Sequence, residues 1–218
     1  MPSFPSASPA LIDIVFQDDA LVIVAKPSGL LSVPGRGEDN QDCVATRLAV
    51  HLPDALVVHR LDMATSGLMA FARGKPAQRQ LSIAFAEREV RKRYVAIVDG
   101  PLASPIGQID LPLLTDWPNR PRQKVDPVHG KAALTHYQVL GHDAGTGGTR
   151  VSLEPVTGRT HQLRVHLWAI GHPIVGDALY APDAVRDRSP RLLLHAEWLC
   201  LPHPLSGELL QFQQPAPF

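Results

Sequence analysis

Apolar residues recur along the chain in two rhythms. The first is short runs of branched and aromatic residues. Leu11 to Phe16 and Leu21 to Ala25 are two such runs, joined by Gln17-Asp18-Asp19-Ala20, and together they predict a hairpin. Lys26-Pro27-Ser28-Gly29 then reads as a turn, with Pro pre-setting φ and Gly free for positive φ. Leu30 to Val33 is a brief extended run, broken by Pro34-Gly35-Arg36-Gly37. The second rhythm begins at Cys43 to Leu52. There Val44, Leu48 and either His51 or Leu52 fall at helical spacing, with Asp42 as the expected N-cap. Leu56 to Val58 and Leu68 to Phe71 return to strand character around a polar segment that carries a Thr65-Ser66-Gly67 turn signal.

Further on, Ala77, Leu81, Ala84 and Phe85 mark one face of a helix opened by Gly74-Lys75-Pro76, with Pro at its first position. Arg91 to Val98 predicts a buried strand with a basic start, closed by Asp99-Gly100. Gly107 to Leu114 is another strand. It leads into Asp116 to Lys124, a proline-punctuated basic loop with one aromatic, Trp117. Ala132 to Leu140 and Arg150 to Pro155 are strands around the Gly-rich loop Gly141 to Gly148. A short helix follows, with Thr160 as N-cap, Leu163, Leu167 and Ile170 as its buried face, and Gly171 as its stop. Arg191 to Leu201 and Leu209 to Phe212 complete the strands. A strand-rich chain in hairpin order with few helices predicts an α+β domain on an antiparallel or mixed sheet.

Composition narrows the class. The chain has 218 residues, 44% hydrophobic and 19% charged, enough apolar residues for a sizeable core. No apolar run is long enough to cross a bilayer, so no membrane partner is expected. Met1 to Pro9 is Ser/Pro-rich without a basic start or apolar core, unlike a secretory signal, so residues 1–10 are expected to be a frayed leader. Cys43 and Cys200 are far apart without metal spacing, which suits reduced thiols in a cytoplasmic protein. Net charge is zero, which by itself argues against a nucleic-acid partner. The sum hides an asymmetry. From His59 to Tyr94 the cations Arg60, Arg73, Lys75, Arg79, Arg88, Arg91, Lys92 and Arg93 face only Asp62, Glu87 and Glu89. A basic middle is what a polyanion site on one face requires.

Candidate chemistry centres on His59-Arg60-Leu61-Asp62-Met63-Ala64-Thr65-Ser66-Gly67, where a lone aspartate follows an arginine between two strand-like runs. His161 and His166 are five residues apart, which splays them around a helix, and no Glu or Cys joins them, so no metal is expected. The Gly-rich loop matches no nucleotide motif. Tyr94 at the mouth of a strand after three cations reads as a core or rim residue or, beside a polyanion groove, as a face for stacking on a base. Trp117 among Arg120, Arg122 and Lys124 suits RNA contact.

These residues carry a resemblance. His59-Arg60-Leu61-Asp62 with Thr65-Ser66-Gly67 resembles the catalytic motif of the RluA-type pseudouridine synthases. Lys92-Arg93-Tyr94, Gly158-Arg159-Thr160-His161-Gln162-Leu163-Arg164 and Leu192-Leu193-Leu194-His195-Ala196 are similar to that family's later motifs, in the right order. The resemblance runs from about Leu11 to the C-terminus. It implies the family's α+β fold: a central, mainly antiparallel sheet flanked by helices and loops around an active-site cleft, with residues 11–218 as one catalytic domain. Leu30 to Arg36, Met63-Ala64-Thr65 and the Asp116 to Lys124 loop are closest to a subgroup without an N-terminal S4 domain. That subgroup acts on tRNA anticodon stem-loops and 23S rRNA stem-loops.

The resemblance also implies roles. Asp62 would attack C1′ of a uridine or take the C2′ proton. Arg164 would keep the carboxylate ionised, and Tyr94 would stack on the flipped uracil or help remove the C5 proton. Arg60 would fill the gap the uridine leaves. His59, Thr65, Arg93, Arg120, Arg122, Lys124, Arg159, His161 and Gln162 would hold RNA. The expected enzyme is a monomer without cofactor. Two rivals remain. A glycoside hydrolase also uses Asp at C1′ but usually needs a second carboxylate, and none appears in the first three motifs. A non-catalytic RNA-binding module gives no reason for a carboxylate in a cation-rich groove.

Overall fold

The computed structural model describes residues 12–218. The expected leader and Leu11 lie outside the described residues. Twelve strands and four α-helices follow in order: β1 (Asp13–Gln17), β2 (Leu21–Lys26), α1 (Val44–Ala49), β3 (Ala55–Val57), β4 (Ser66–Arg73), α2 (Gly74–Ala86), β5 (Arg91–Val98), β6 (Ile106–Asp110), β7 (Leu113–Thr115), β8 (Gln123–Val125), β9 (Leu134–Asp143), β10 (Gly148–Pro155), α3 (Gln162–Ala169), α4 (Asp183–Arg186), β11 (Leu194–Pro202) and β12 (Leu209–Gln213).

Ten strands form one sheet, ordered β1-β2-β4-β11-β5-β10-β9-β6, with β12 added to β11 and β3 to β4. β7 and β8 form a separate two-stranded hairpin. Every pairing is antiparallel except one: β4 and β11 run parallel through His195–Ser66 and Ala196–Gly67. This seam joins the two halves of the sheet. Gly67 permits it, because its φ is 115° and a Cβ there would lie 2.3 Å from the Ala196 carbonyl oxygen. Ser66 and Gly67 therefore open β4 and are not the turn the sequence suggests. The turn lies just before, where the Thr65 N–H donates to the Asp62 carbonyl at 3.1 Å.

β4 is buried on both faces, which explains its unbroken apolar run. Leu68, Ala70 and Ala72 pack with Ala77, Leu81 and Ala84 of α2, while Met69 and Phe71 pack with Val44 and Leu48 of α1. Beyond the seam, Ala96, Val151 and Leu153 pack with Leu163 and Leu167 of α3.

Local details depart from expectation for identifiable reasons. Cys43, not Asp42, caps α1: its Sγ accepts the Thr46 N–H and the Thr46 hydroxyl accepts the Cys43 N–H. Asp42 instead pairs with Arg47 at 2.7 Å. Pro76 is the third residue of α2, still in the turn whose N–H groups lack helical partners. The run from Gly107 to Leu114 is cut at Leu111-Pro112 into β6 of the main sheet and β7 of the hairpin. Thr160 is exposed and does not cap α3. His161 occupies that place at φ 54° without a side-chain cap. α3 is buried from Gln162 through Leu167 rather than on one stripe, because Leu163 and Leu167 face the sheet while Val165 packs with Leu113 and Tyr180. Ile170 sits at the exposed end. The sequence pattern gave no sign of the four-residue α4. Both cysteines are free and buried, and no described helix is long and apolar enough to cross a membrane.

Candidate active site

The polar segment before β4 is held by the turn that follows β2. Lys26 Nζ donates to the carbonyls of Pro27 and Met63, both at 2.9 Å. The Gly29 N–H donates to the same Met63 oxygen. Ser28 Oγ donates to Ala64 O at 2.7 Å, and Ser32 Oγ donates to Leu61 O and accepts the Leu61 N–H. Asp62 therefore projects from a backbone fixed on both sides. Burial pulls the Lys26 pKa down to about 8, against the raising effect of nearby Asp62. The sequence pattern shows Lys26 to Gly29 only as a turn.

Asp62 faces α3. Its Oδ2 is 3.6 Å from Arg164 Nη1, and its Oδ1 is 3.9 Å from His161 Nε2. Arg164 is itself gripped from behind. Its Nε and Nη2 donate to both carboxylate oxygens of the fully buried Asp177, at 2.8 and 2.6 Å. Burial alone would lower the Arg164 pKa; the hydrogen bonds and charge of Asp177, with Asp62, more than offset this and hold it up. Asp177 also accepts the Leu179 and Tyr180 N–H groups. The Tyr180 hydroxyl accepts the Gln123 N–H at 2.8 Å and meets His161 Nδ1 at 2.7 Å. Burial lowers the His161 pKa, more than the Asp62 charge raises it. Asp177 and Tyr180 were missed. The available signal was an isolated acid in the apolar run Ile174 to Tyr180.

Around Asp62 opens a cleft of 560 Å³. Five cationic side chains, Arg60, Arg88, Lys92, Arg159 and Arg164, line it against one carboxylate, Asp62. Tyr94 forms part of its wall, and burial, with a smaller effect from Asp62, pushes its phenol pKa up, so it stays protonated. Arg60 is exposed and makes no hydrogen bond or ion pair among the described residues. Thr65 Oγ1 is buried without a partner among them. Arg159 lines the cleft while its Nε donates to Ala132 O.

Other expected RNA contacts sit differently. Arg93 faces away from the cleft: it pairs with Glu197 at 2.8 Å and lies over the Trp198 ring. Side chains alternate across a strand, so Lys92, not Arg93, shares Tyr94's side. His59 lines the cleft but is engaged in the fold. Its Nε2 accepts the Ala70 N–H at 2.9 Å and its ring stacks on Phe85, and burial pulls its pKa down to about 3. Gln162 clamps the approach to α3: its Oε1 accepts from Thr157 and Arg159, and its Nε2 donates to Leu134 O and Thr135 Oγ1. That leaves its amide little to offer RNA. Arg120, Arg122 and Lys124 lie on the β7–β8 hairpin rather than in the cleft wall. Arg120 covers Trp117, Arg122 bridges the Trp168 and Tyr180 rings, and Lys124 is 3.7 Å from Asp126. Among the described residues no three His, Cys, Asp or Glu side chains converge as a metal set.

A carboxylate held beside a buried guanidinium, on the floor of a cation-lined cleft with a neutral phenol in its wall, suits chemistry on a polyanion. Comparison with known proteins defines the class. A profile of the RNA pseudouridylate synthases matches residues 20–169, and the chain belongs to that family. It is an isomerase that forms pseudouridine in RNA. Over 214 residues it is 52% identical to the dual-specificity RNA pseudouridine synthase RluA of Escherichia coli K12, covering 98% of this chain and 97% of that protein. The protein so named from Haemophilus influenzae is 48% identical over 207 residues, covering 95% and 94%. Among solved structures, human RNA pseudouridylate synthase domain containing 1 shares the fold with a TM-score of 0.82 at 30% identity, over 99% of this chain and 87% of its own.

Proposed function

We propose that Asp62 begins the isomerisation of a uridine flipped out of a stem-loop into this cleft. The reaction breaks N1–C1′, turns the uracil and joins C5 to C1′; C5 gives up a proton and N1 ends with one. Nothing is oxidised or reduced, and the reading needs no cofactor. The observation that carries it is the Asp62–Arg164–Asp177 relay, a carboxylate facing the cleft with its cation anchored behind it. The guanidinium stabilises the charged carboxylate when RNA displaces water, whether Asp62 attacks C1′ or removes the C2′ proton. Tyr94, kept neutral, offers the uracil a face and a donor. Thr65 lines the cleft beside Asp62 with its hydroxyl buried, and Arg60 fills the stack the base has left. Trp117, Arg120 and Lys124 on the hairpin hold the rest of the stem-loop.

The substrates we infer are a tRNA anticodon stem-loop and a 23S rRNA stem-loop, from the similarity to relatives named dual-specificity. We further infer a monomer acting in the cytoplasm. The test is tritium release from RNAs labelled at uridine C5, without metal or nucleotide. Release from both RNAs by the wild type and none by Asp62→Asn is expected. Binding without release would favour the non-catalytic module instead.

A further inference from the structure

Among the described residues twelve have positive φ, and ten of them are glycines. The two exceptions are Arg88 at 64° and His161 at 54°, and both line the cleft. His161 is accounted for by its bonds to Tyr180 and its approach to Asp62. Arg88 is not. It follows Glu87 at the end of α2, where the Glu89 N–H reaches back to Ala84 O at 2.9 Å and the Arg88 N–H to Phe85 O at 3.4 Å. This is the left-handed helix stop that glycine fills without strain. α3 uses Gly171 for its own stop, at φ 86°. An arginine here strains the backbone, and nothing in the fold uses its side chain. Arg88 is exposed, and neither Glu87 nor Glu89 pairs with it among the described residues.

We propose that Arg88 is an RNA-gripping residue. The left-handed stop aims its guanidinium across the rim of the cleft at a backbone phosphate of the bound stem-loop. This rests on the reading that RNA fills the cleft. Strain kept at a site where glycine would fit is expected where the side chain has a task. Lys92 lines the same cleft, its Nζ 5.9 Å from the ring centre of Phe85, which stands three residues before Arg88, so a strand passing along this wall meets both cations.

The test compares wild type, Arg88→Gly and Arg88→Lys. Each is measured for unfolding in urea, for KM and kcat by tritium release, and for stem-loop affinity across salt in an Asp62→Asn background. Arg88→Gly should unfold at the wild-type midpoint or above it. It should raise KM on the order of fivefold with little change in kcat, and lower the salt slope of binding by about 1. Arg88→Lys should restore the slope. Two results would overturn the proposal while wild type remains active: Arg88→Gly with wild-type slope and KM, or Arg88→Gly that unfolds more readily. A wild type that releases no tritium would sink the substrate reading itself.

Discussion

Arg164 is shared between two carboxylates with unequal hold. Asp177 takes two hydrogen bonds at 2.6 and 2.8 Å, and Asp62 is left at 3.6 Å. The close partner fixes the cation, and the distant one stays available for reaction. Asp177→Asn should therefore act on both stability and catalysis. Removing one charge of a buried pair costs about 3–5 kcal/mol, so the urea midpoint should fall clearly. Arg164, freed, should close on Asp62, and tritium release should drop at saturating RNA. An unchanged midpoint would mean that Asp177 does not anchor the site. Of these residues, Asp62 and Arg164 were legible in the sequence because their motifs carry them. Asp177 was not, since a buried acid looks like any other Asp until its partner is known. Arg93 is the opposite case, a cation in the motif that the fold pairs with Glu197. Three cations precede Tyr94, and only strand parity separates Lys92 in the cleft from Arg93 behind it.

At the scale of elements, most strands followed from their apolar runs, because a strand buried on one or both faces writes its pattern directly. The hairpin of β7 and β8 did not, because its short strands have few buried positions and a proline divides them from β6. The parallel seam was also illegible. Nothing local tells Gly67 that it will meet Ala196, 129 residues away. That contact makes a sharp prediction. Gly67→Ala forces a Cβ against backbone at a φ of 115°, and about 3 kcal/mol or more of stability should be lost. A melting temperature near the wild type's would show that the seam can spread. The hairpin predicts a contrasting result. Trp117 is 65% exposed, so Trp117→Ala should leave thermal stability nearly unchanged yet weaken stem-loop binding by about 1–3 kcal/mol. Equal affinity would remove the hairpin from the RNA interface.

The whole molecule carries its charge in the wrong place for a simple sum. Net charge is zero, yet the cleft holds five cations to one carboxylate. Acid should weaken the fold through its histidines. Burial lowers the pKa values of His59, His161, His166 and His195. A histidine with a depressed folded pKa binds its proton more readily when unfolded. Stability is thus full above about pH 6.5 and declines as pH falls toward the folded value, which for His59 is about 3. His59→Gln keeps an acceptor for the Ala70 N–H and should flatten that decline, read as the urea midpoint between pH 7 and 4 (roughly, the window set by these shifts). An unchanged slope would place the acid sensitivity elsewhere. The position of β11 has a consequence in time. Residues 194–202 come after β4 by roughly 120 residues and after β5 by roughly 100, yet they lie between those two strands in the middle of the sheet. The strand that follows the Asp62 turn and the strand that bears Tyr94 become neighbours only through it. A nascent chain can therefore fold hairpins but cannot assemble a cleft. An enzyme that acts on RNA, made on a machine built of RNA, thus completes its cleft only once residues 194–202 have been added.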